Sequence, residues 1–239
     1  MTLLNSVLSM KLGQRDSEGV NRTAGNGFLI LWIMMILFAV LGFTAMTPFY
    51  EAQTDIREIL DMSISYSMVL CVCSFAALQI MMERLLSAIG RADLTMIPML
   101  TGAVVNIILD PIMIFGWLGC PAMGITGAGI ATELGQAAAA VVGLLLNLRF
   151  NKEVHISRAA FRPSGEVIGA IVKIGVPVAL SNCLISVSTF GMNNILLRLS
   201  ALAPGIYVVY IRLQSFVIMP SGSMSSAGIS IIAYNYGAK

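Results

Sequence analysis

Residues 26–50 read NGFLILWIMMILFAVLGFTAMTPFY, with no charged side chain between Arg22 and Glu51. A helix needs about 20 predominantly apolar residues to cross the roughly 30 Å hydrocarbon core of a bilayer. A helix on the surface of a soluble domain would also show a polar face, and this stretch has none. It predicts a membrane-spanning helix. The pattern recurs at 62–82, 94–118, 124–148, 167–199 and 205–234, interrupted only by Asp110, Glu133, Lys173, Arg198 and Arg212. Six spans are therefore expected, and the fold class is an all-α polytopic integral membrane protein.

Composition agrees. Of 239 residues, 57% are apolar and 11% charged, and the mean hydropathy is +0.87. A soluble domain carries roughly 45–50% apolar and about 25% charged residues, so this chain lacks the polar side chains to coat a globule. A soluble enzyme and a disordered chain are excluded, and a net charge of +2 is too small for a nucleic-acid partner. No P-loop, GxSxG or HExxH motif is present, so no enzyme is expected. Cys71, Cys73, Cys120 and Cys183 have neither CxxC nor zinc spacing and read as free thiols. His155 reads as a solvated loop residue.

The cations set an orientation. Lys11, Arg15 and Arg22 precede the first span. Arg84 and Arg91 follow the second, and Arg149, Lys152, Arg158 and Arg162 follow the fourth. The alternate loops hold Arg57 alone after the first span and no cation in 119–123. Basic loops face the cytoplasm, which puts the N-terminus of this chain inside and the protein in the plasma (inner) membrane. Glu51, Asp55, Glu58 and Asp61 fall in the first outer loop. Residues 3–10 are apolar and run into Lys11 without the order of a signal peptide, so they read as the last turns of a helix. Gly13 and Gly237 lie at two similar junctions between helix end and loop, 224 residues apart, a weak repeat that suits two parallel six-helix halves.

Asp110 carries the most information. An ionisable side chain inside a span costs about 2.5–3.5 kcal/mol on insertion scales and normally faces a protein interior or a wet cavity. Asn106 and Gly102 share its helical face. Pro111 removes a backbone donor and frees a carbonyl near Ile107. A carboxylate, an amide oxygen and a freed carbonyl are hard oxygen ligands, and the same setting could hold a proton on a desolvated carboxyl. Glu133, near mid-membrane, either joins this cluster or pairs with a cation such as Arg212, the pairing being favoured. Gly127, Ala131, Gly135, Ala139 and Gly143 form a small-residue stripe along the fourth span that invites a close helix neighbour. Pro177 and Pro220 are expected to kink the fifth and sixth spans.

Several segments resemble the multidrug and toxic compound extrusion (MATE) family, in particular its DinF-like and MepA-like bacterial branch. They are Asn5-Ser6 to Leu12-Gly13, Leu86-Ser87-Ala88-Ile89-Gly90-Arg91-Ala92, Asn106-Ile107-Ile108-Leu109-Asp110-Pro111, Gly124 to Thr132, Lys173-Ile174-Gly175-Val176-Pro177, and Leu213 to Phe216 with Tyr234 to Lys239. The resemblance implies that the chain matches about half of a twelve-helix, two-lobe transporter. Residues 1–150 would be the end of one helix and the last four helices of the N-terminal lobe. Residues 151–165 would be the basic cytoplasmic inter-lobe loop, and 166–239 the first two helices of the C-terminal lobe. It implies a cation-coupled antiporter, driven by Na⁺ or H⁺ with no other cofactor, exporting amphipathic and often cationic compounds by alternating access. The N-x-x-x-D-P segment then supplies Asn106 and Asp110 to the cation site, and Thr132 joins them from the next helix. Where family members carry a glutamate after the proline of the fifth span, Ile185 and Ser186 stand here. Partners would be the substrates, the bilayer, and the missing helices or a second copy. Two readings compete: a lipid-linked oligosaccharide flippase of the same superfamily, which needs a more cationic cavity, and a transport-inactive truncated membrane subunit.

Overall fold

The computed structural model describes residues 2–52, 56–154, 161–200 and 202–238, and all the regular structure there is helical. Asp55, His155 and Arg158 lie outside the described residues. In chain order the helices are α1 (Thr2–Gly13), α2 (Ser17–Glu51), α3 (Arg57–Cys73), α4 (Phe75–Ala88), α5 (Ala92–Phe115), α6 (Gly124–Phe150), α7 (Gly165–Leu199) and α8 (Ala203–Gly237). Among them α2, α5, α6 and α7 are each long and apolar enough to cross a bilayer, and α3 with α4 reach that length and apolarity together as a pair bent by 43°. The chain is a multi-pass membrane protein. The sixth expected span, α8, has the length at 35 residues, but Arg212, Gln214 and a run of serines dilute its apolar stretch.

The helices depart from the expected spans in ways that tertiary contacts explain. The first begins at Ser17 rather than near residue 26, because Asp16 caps it by accepting the Gly19 N–H at 2.9 Å. Its first turns are then protein-buried: Val20, Ala24 and Leu31 pack with Leu8, Met81 and Leu85 where α1, α2 and α4 meet. The third ends at Phe115, stopped by Gly116 in the left-handed region (φ 76°). Pro177 and Pro220 stand inside unbroken helices. Among the described residues the interrupted pair is α3 with α4, which contains neither proline nor glycine in residues 57–88; it breaks at Ser74, a left-handed serine (φ 47°).

The small-residue stripe does face neighbours. Gly127, Ala131, Gly135, Ala139 and Gly143 are all buried. A Cβ on Gly135 would meet the Gly102 carbonyl of α5, and one on Gly143 would meet Met82 of α4. With no Cβ at Gly135 or Gly102, the α5 and α6 backbones approach to a distance that larger residues would forbid.

Polar side chains tie the elements at the basic end. Buried Asn26 of α2 donates to the Arg162 carbonyl at 3.3 Å and accepts the Ser164 N–H at 3.0 Å, which fixes the start of α7. Asn147 of α6 donates to the Met82 carbonyl at 2.9 Å, and Asn151 donates to the Asn147 side chain at 3.0 Å. Asn5 of α1 donates to Ser87 at 3.2 Å. The turns after α1 and α4, Glu153 beyond α6 and the end of α8 surround one cavity of about 600 Å³, lined in part by Arg15, Asp16, Glu153 and Asn235. The loops grouped by charge thus lie at one end of the molecule.

Candidate functional site

The polar positions singled out in the third and fourth spans meet across the α5–α6 contact. Asn106 and Asp110 are one turn apart on α5, and the Asn106 Nδ2 donates to Asp110 Oδ1 at 3.2 Å. The same Nδ2 lies 3.4 Å from Thr132 Oγ1 on α6. The Thr132 hydroxyl in turn donates to the Ala128 carbonyl at 2.9 Å. All three side chains are half-buried. The juxtaposition depends on the small residues beside it: Gly135, one turn from Ala131, sits against the Asn106 Cβ and the Gly102 backbone. One carboxylate beside a neutral amide and a neutral hydroxyl balances a single positive charge. That donor set suits a monovalent hard cation or a proton better than a soft metal.

Glu133 does not join this group and does not pair with Arg212. Its side chain is 4% exposed and points to the broken span, where Oε2 accepts the Phe75 N–H at 2.9 Å. Arg212 lies on the exposed surface of α8. The reason is rotational. Neighbouring residues on a helix point about 100° apart, so Thr132 faces α5 while Glu133 faces α4. An isolated backbone donor at a break outcompetes a distant cation, and nothing in the sequence around residue 74 announces that break.

Sequence reasoning also passed over Gln136. It stands four residues beyond Thr132 and therefore on the same side of α6, and its buried Oε1 has no hydrogen-bond partner among the described residues. The i,i+4 spacing from Thr132 was the available signal.

A second cavity, of about 560 Å³, opens between α2, α4 and α7. Its lining is mostly apolar, including Met34, Met35, Phe38, Leu70 and Val178, with Asn182 and Ser74 as polar exceptions. Methionine surfaces repack readily around ligands of different shape. Cys71 and Cys73 are half-buried free thiols, while Cys120 and Cys183 are free and exposed.

Comparison with known proteins agrees with this architecture. The MatE family matches residues 2–112. The multidrug export protein MepA of Staphylococcus aureus strain N315 is 29% identical over 239 residues, covering 97% of this chain and 51% of that protein. MepA of Staphylococcus saprophyticus is 27% identical over 233 residues, covering 96% of this chain and 50% of its own length. A crystal structure of MATE in complex with MaL6 superposes with a TM-score of 0.89 at 23% identity, over 99% of this chain and 52% of that one. The chain spans about half the length of the curated relatives it matches, and these relatives are export proteins rather than enzymes.

Proposed function

We propose, for a chain that belongs to the multidrug and toxic compound extrusion family, that it forms part of a cation-coupled antiporter exporting amphipathic, often cationic compounds. The observation that carries this is the Asn106–Asp110–Thr132 constellation, held together across two membrane helices. A half-turn of the Asn106 amide would present its oxygen beside the Asp110 carboxylate and the Thr132 hydroxyl. Three oxygens of that kind offer a site for Na⁺, and Asp110 alone offers one for H⁺. Residues 1–150 would serve the N-terminal lobe and 166–239 the start of the C-terminal lobe, joined by the cytoplasmic loop 151–165. The N-terminus and the basic end would face the cytoplasm of a plasma (inner) membrane. The helices that the longer relatives have beyond this chain, or a second copy, would complete the translocation pathway.

Coupling then follows from differential binding. A ligand biases two conformations only by its unequal affinity for them. A cation at Asp110 would favour one facing of the lobes, and a substrate in an apolar, methionine-lined space would favour the other. The apolar lining between α2, α4 and α7 supports the amphipathic part of the substrate class. It counts against the flippase alternative, whose anionic pyrophosphate needs cationic partners.

Dye efflux from vesicles tests the reading, with Na⁺ and pH gradients imposed in turn on the chain alone and on a twelve-helix form completed with the remaining helices. Asp110→Asn keeps the shape and removes the charge. It should abolish gradient-driven efflux while leaving equilibrium drug binding largely intact. Asn106→Ala should raise the cation concentration for half-maximal transport, and Thr132→Ala should do so more weakly. Unimpaired gradient-driven efflux by Asp110→Asn would return Asn106 and Asp110 to helix packing.

A further inference from the structure

The break between α3 and α4 sets a problem of backbone satisfaction. The last carbonyls of α3 and the first N–H groups of α4 have no partner one turn away in their own helix, and in a membrane they have no water either. Three are met from within. Ser74 N donates to the Leu70 carbonyl at 3.1 Å, and Ser74 Oγ donates to the Cys71 carbonyl at 2.6 Å. Ala77 N donates to the Ser74 carbonyl at 3.1 Å. The Phe75 N–H is met from outside, by Glu133 Oε2 of α6 at 2.9 Å.

Ser74 meanwhile has a φ of 47°, a conformation that a serine keeps only where its surroundings impose it. Neither proline nor glycine in residues 57–88 accounts for the bend. Two contacts stand at it: within the span the Ser74 hydroxyl engages the Cys71 carbonyl, and from outside Glu133 of α6 engages the Phe75 N–H. Glu133 is buried, it follows Thr132 directly, and α6 is locked to α5 by the Gly102–Gly135 contact. One short segment of α6 thus holds the neighbour of Asp110 on one side and the bent span on the other.

We propose that Glu133 is a positioning residue, whose carboxyl group holds the second span bent at Ser74 and links that bend to the helix carrying Thr132. The link to transport rests on the antiporter reading above; the holding of the bend does not. A displacement of α6 on cation loading moves the anchor of α4, so the bend follows the loaded state of the site.

The test uses the full chain in nanodiscs, with its native cysteines replaced by alanine and spin labels at Ile59 and Ile89. In Glu133→Leu the Phe75 N–H loses its acceptor. Opening the 43° bend between two arms of about 22 Å should lengthen the mean label distance by about 3 Å. Glu133→Gln keeps an oxygen acceptor and should hold the unmutated distance. An unchanged distance in Glu133→Leu would overturn the proposal. Should that variant fail to insert, chain labelled with ¹⁵N-phenylalanine decides. The Phe75 amide resonance should move in the near-isosteric Glu133→Gln, and a resonance that stays in place would overturn the proposal equally. Efflux in vesicles separates the two readings. A bend that depends on Glu133, without gradient-driven efflux by either the unmutated chain or its completed twelve-helix form, supports the anchor and removes the transport reading. Unmutated efflux rates in Glu133→Leu with a lengthened distance would overturn the link to transport.

Discussion

Asp16 shows how one side chain sets the length of a membrane helix. It caps α2 through the Gly19 N–H and holds Lys11 at 3.2 Å. Those two partners, the backbone N–H first, keep its carboxyl below the usual carboxylate range. A carboxyl depressed in the folded state stabilises that state above its unfolded pKa, and the contribution fades as pH falls through the folded pKa. Asp16→Ala should therefore destabilise the detergent-solubilised chain at pH 7 by the roughly 1 kcal/mol typical of an N-cap, seen as a lowered thermal midpoint. Followed by the fluorescence of Trp32 and Trp117, the gap between variant and parent should close in acid. A gap equally wide at every pH would show that the carboxylate charge plays no part.

At the scale of helices, the α5–α6 pair matters most, because it brings Thr132 to Asn106. Its contact is backbone against backbone at Gly102 and Gly135, and a side chain there would separate the two helices along their length. Gly135→Leu should impair insertion yield more than Leu145→Ala, which trims a side chain 59% exposed on the other face. It should also lower cation affinity, by pushing Thr132 away from Asn106. Equal membrane yields for the two variants would remove the case for a tight contact. The same pair explains why Glu133 is buried while Arg212 is not: α6 is packed against α3, α4 and α5, whereas α8 meets chiefly α1.

Across the whole molecule, the two junctions that the sequence relates by a 224-residue offset come into reciprocal contact. A Cβ on Gly13 would overlap the Tyr234 carbonyl, and one on Gly237 would overlap the Met10 carbonyl. Each glycine therefore meets the carbonyl three residues before the other, as expected of pseudo-equivalent positions facing across an axis. This crossing packs α1 against α8 at the basic end. Gly237→Val should open it, and cross-linking between cysteines at Gln14 and Ala238 should fall several-fold in a background lacking native cysteines. Undiminished cross-linking would mean that the helices cross closely without needing glycine.

The sequence by itself determined the class of the protein, the approximate helices and two members of the polar cluster, Asn106 and Asp110, while Thr132 was added by the family resemblance. Apolar runs longer than a bilayer have one stable outcome, a spanning helix, because the backbone must satisfy itself in lipid. Asn106, Asp110 and the α6 stripe were legible for the same reason: a charge, or a regular row of small residues, stands out against an apolar background. Only the tertiary structure decided where the second span breaks, which helix Glu133 serves, and that Gly13 packs against α8. Ser74 is unremarkable in sequence, and the groups freed at its left-handed turn are met partly within the span and, at the Phe75 N–H, by Glu133 of another helix. The partner of a buried acid is likewise fixed by the rotation of its helix against neighbours up to 58 positions away. That rotation is set by packing, which no local pattern encodes.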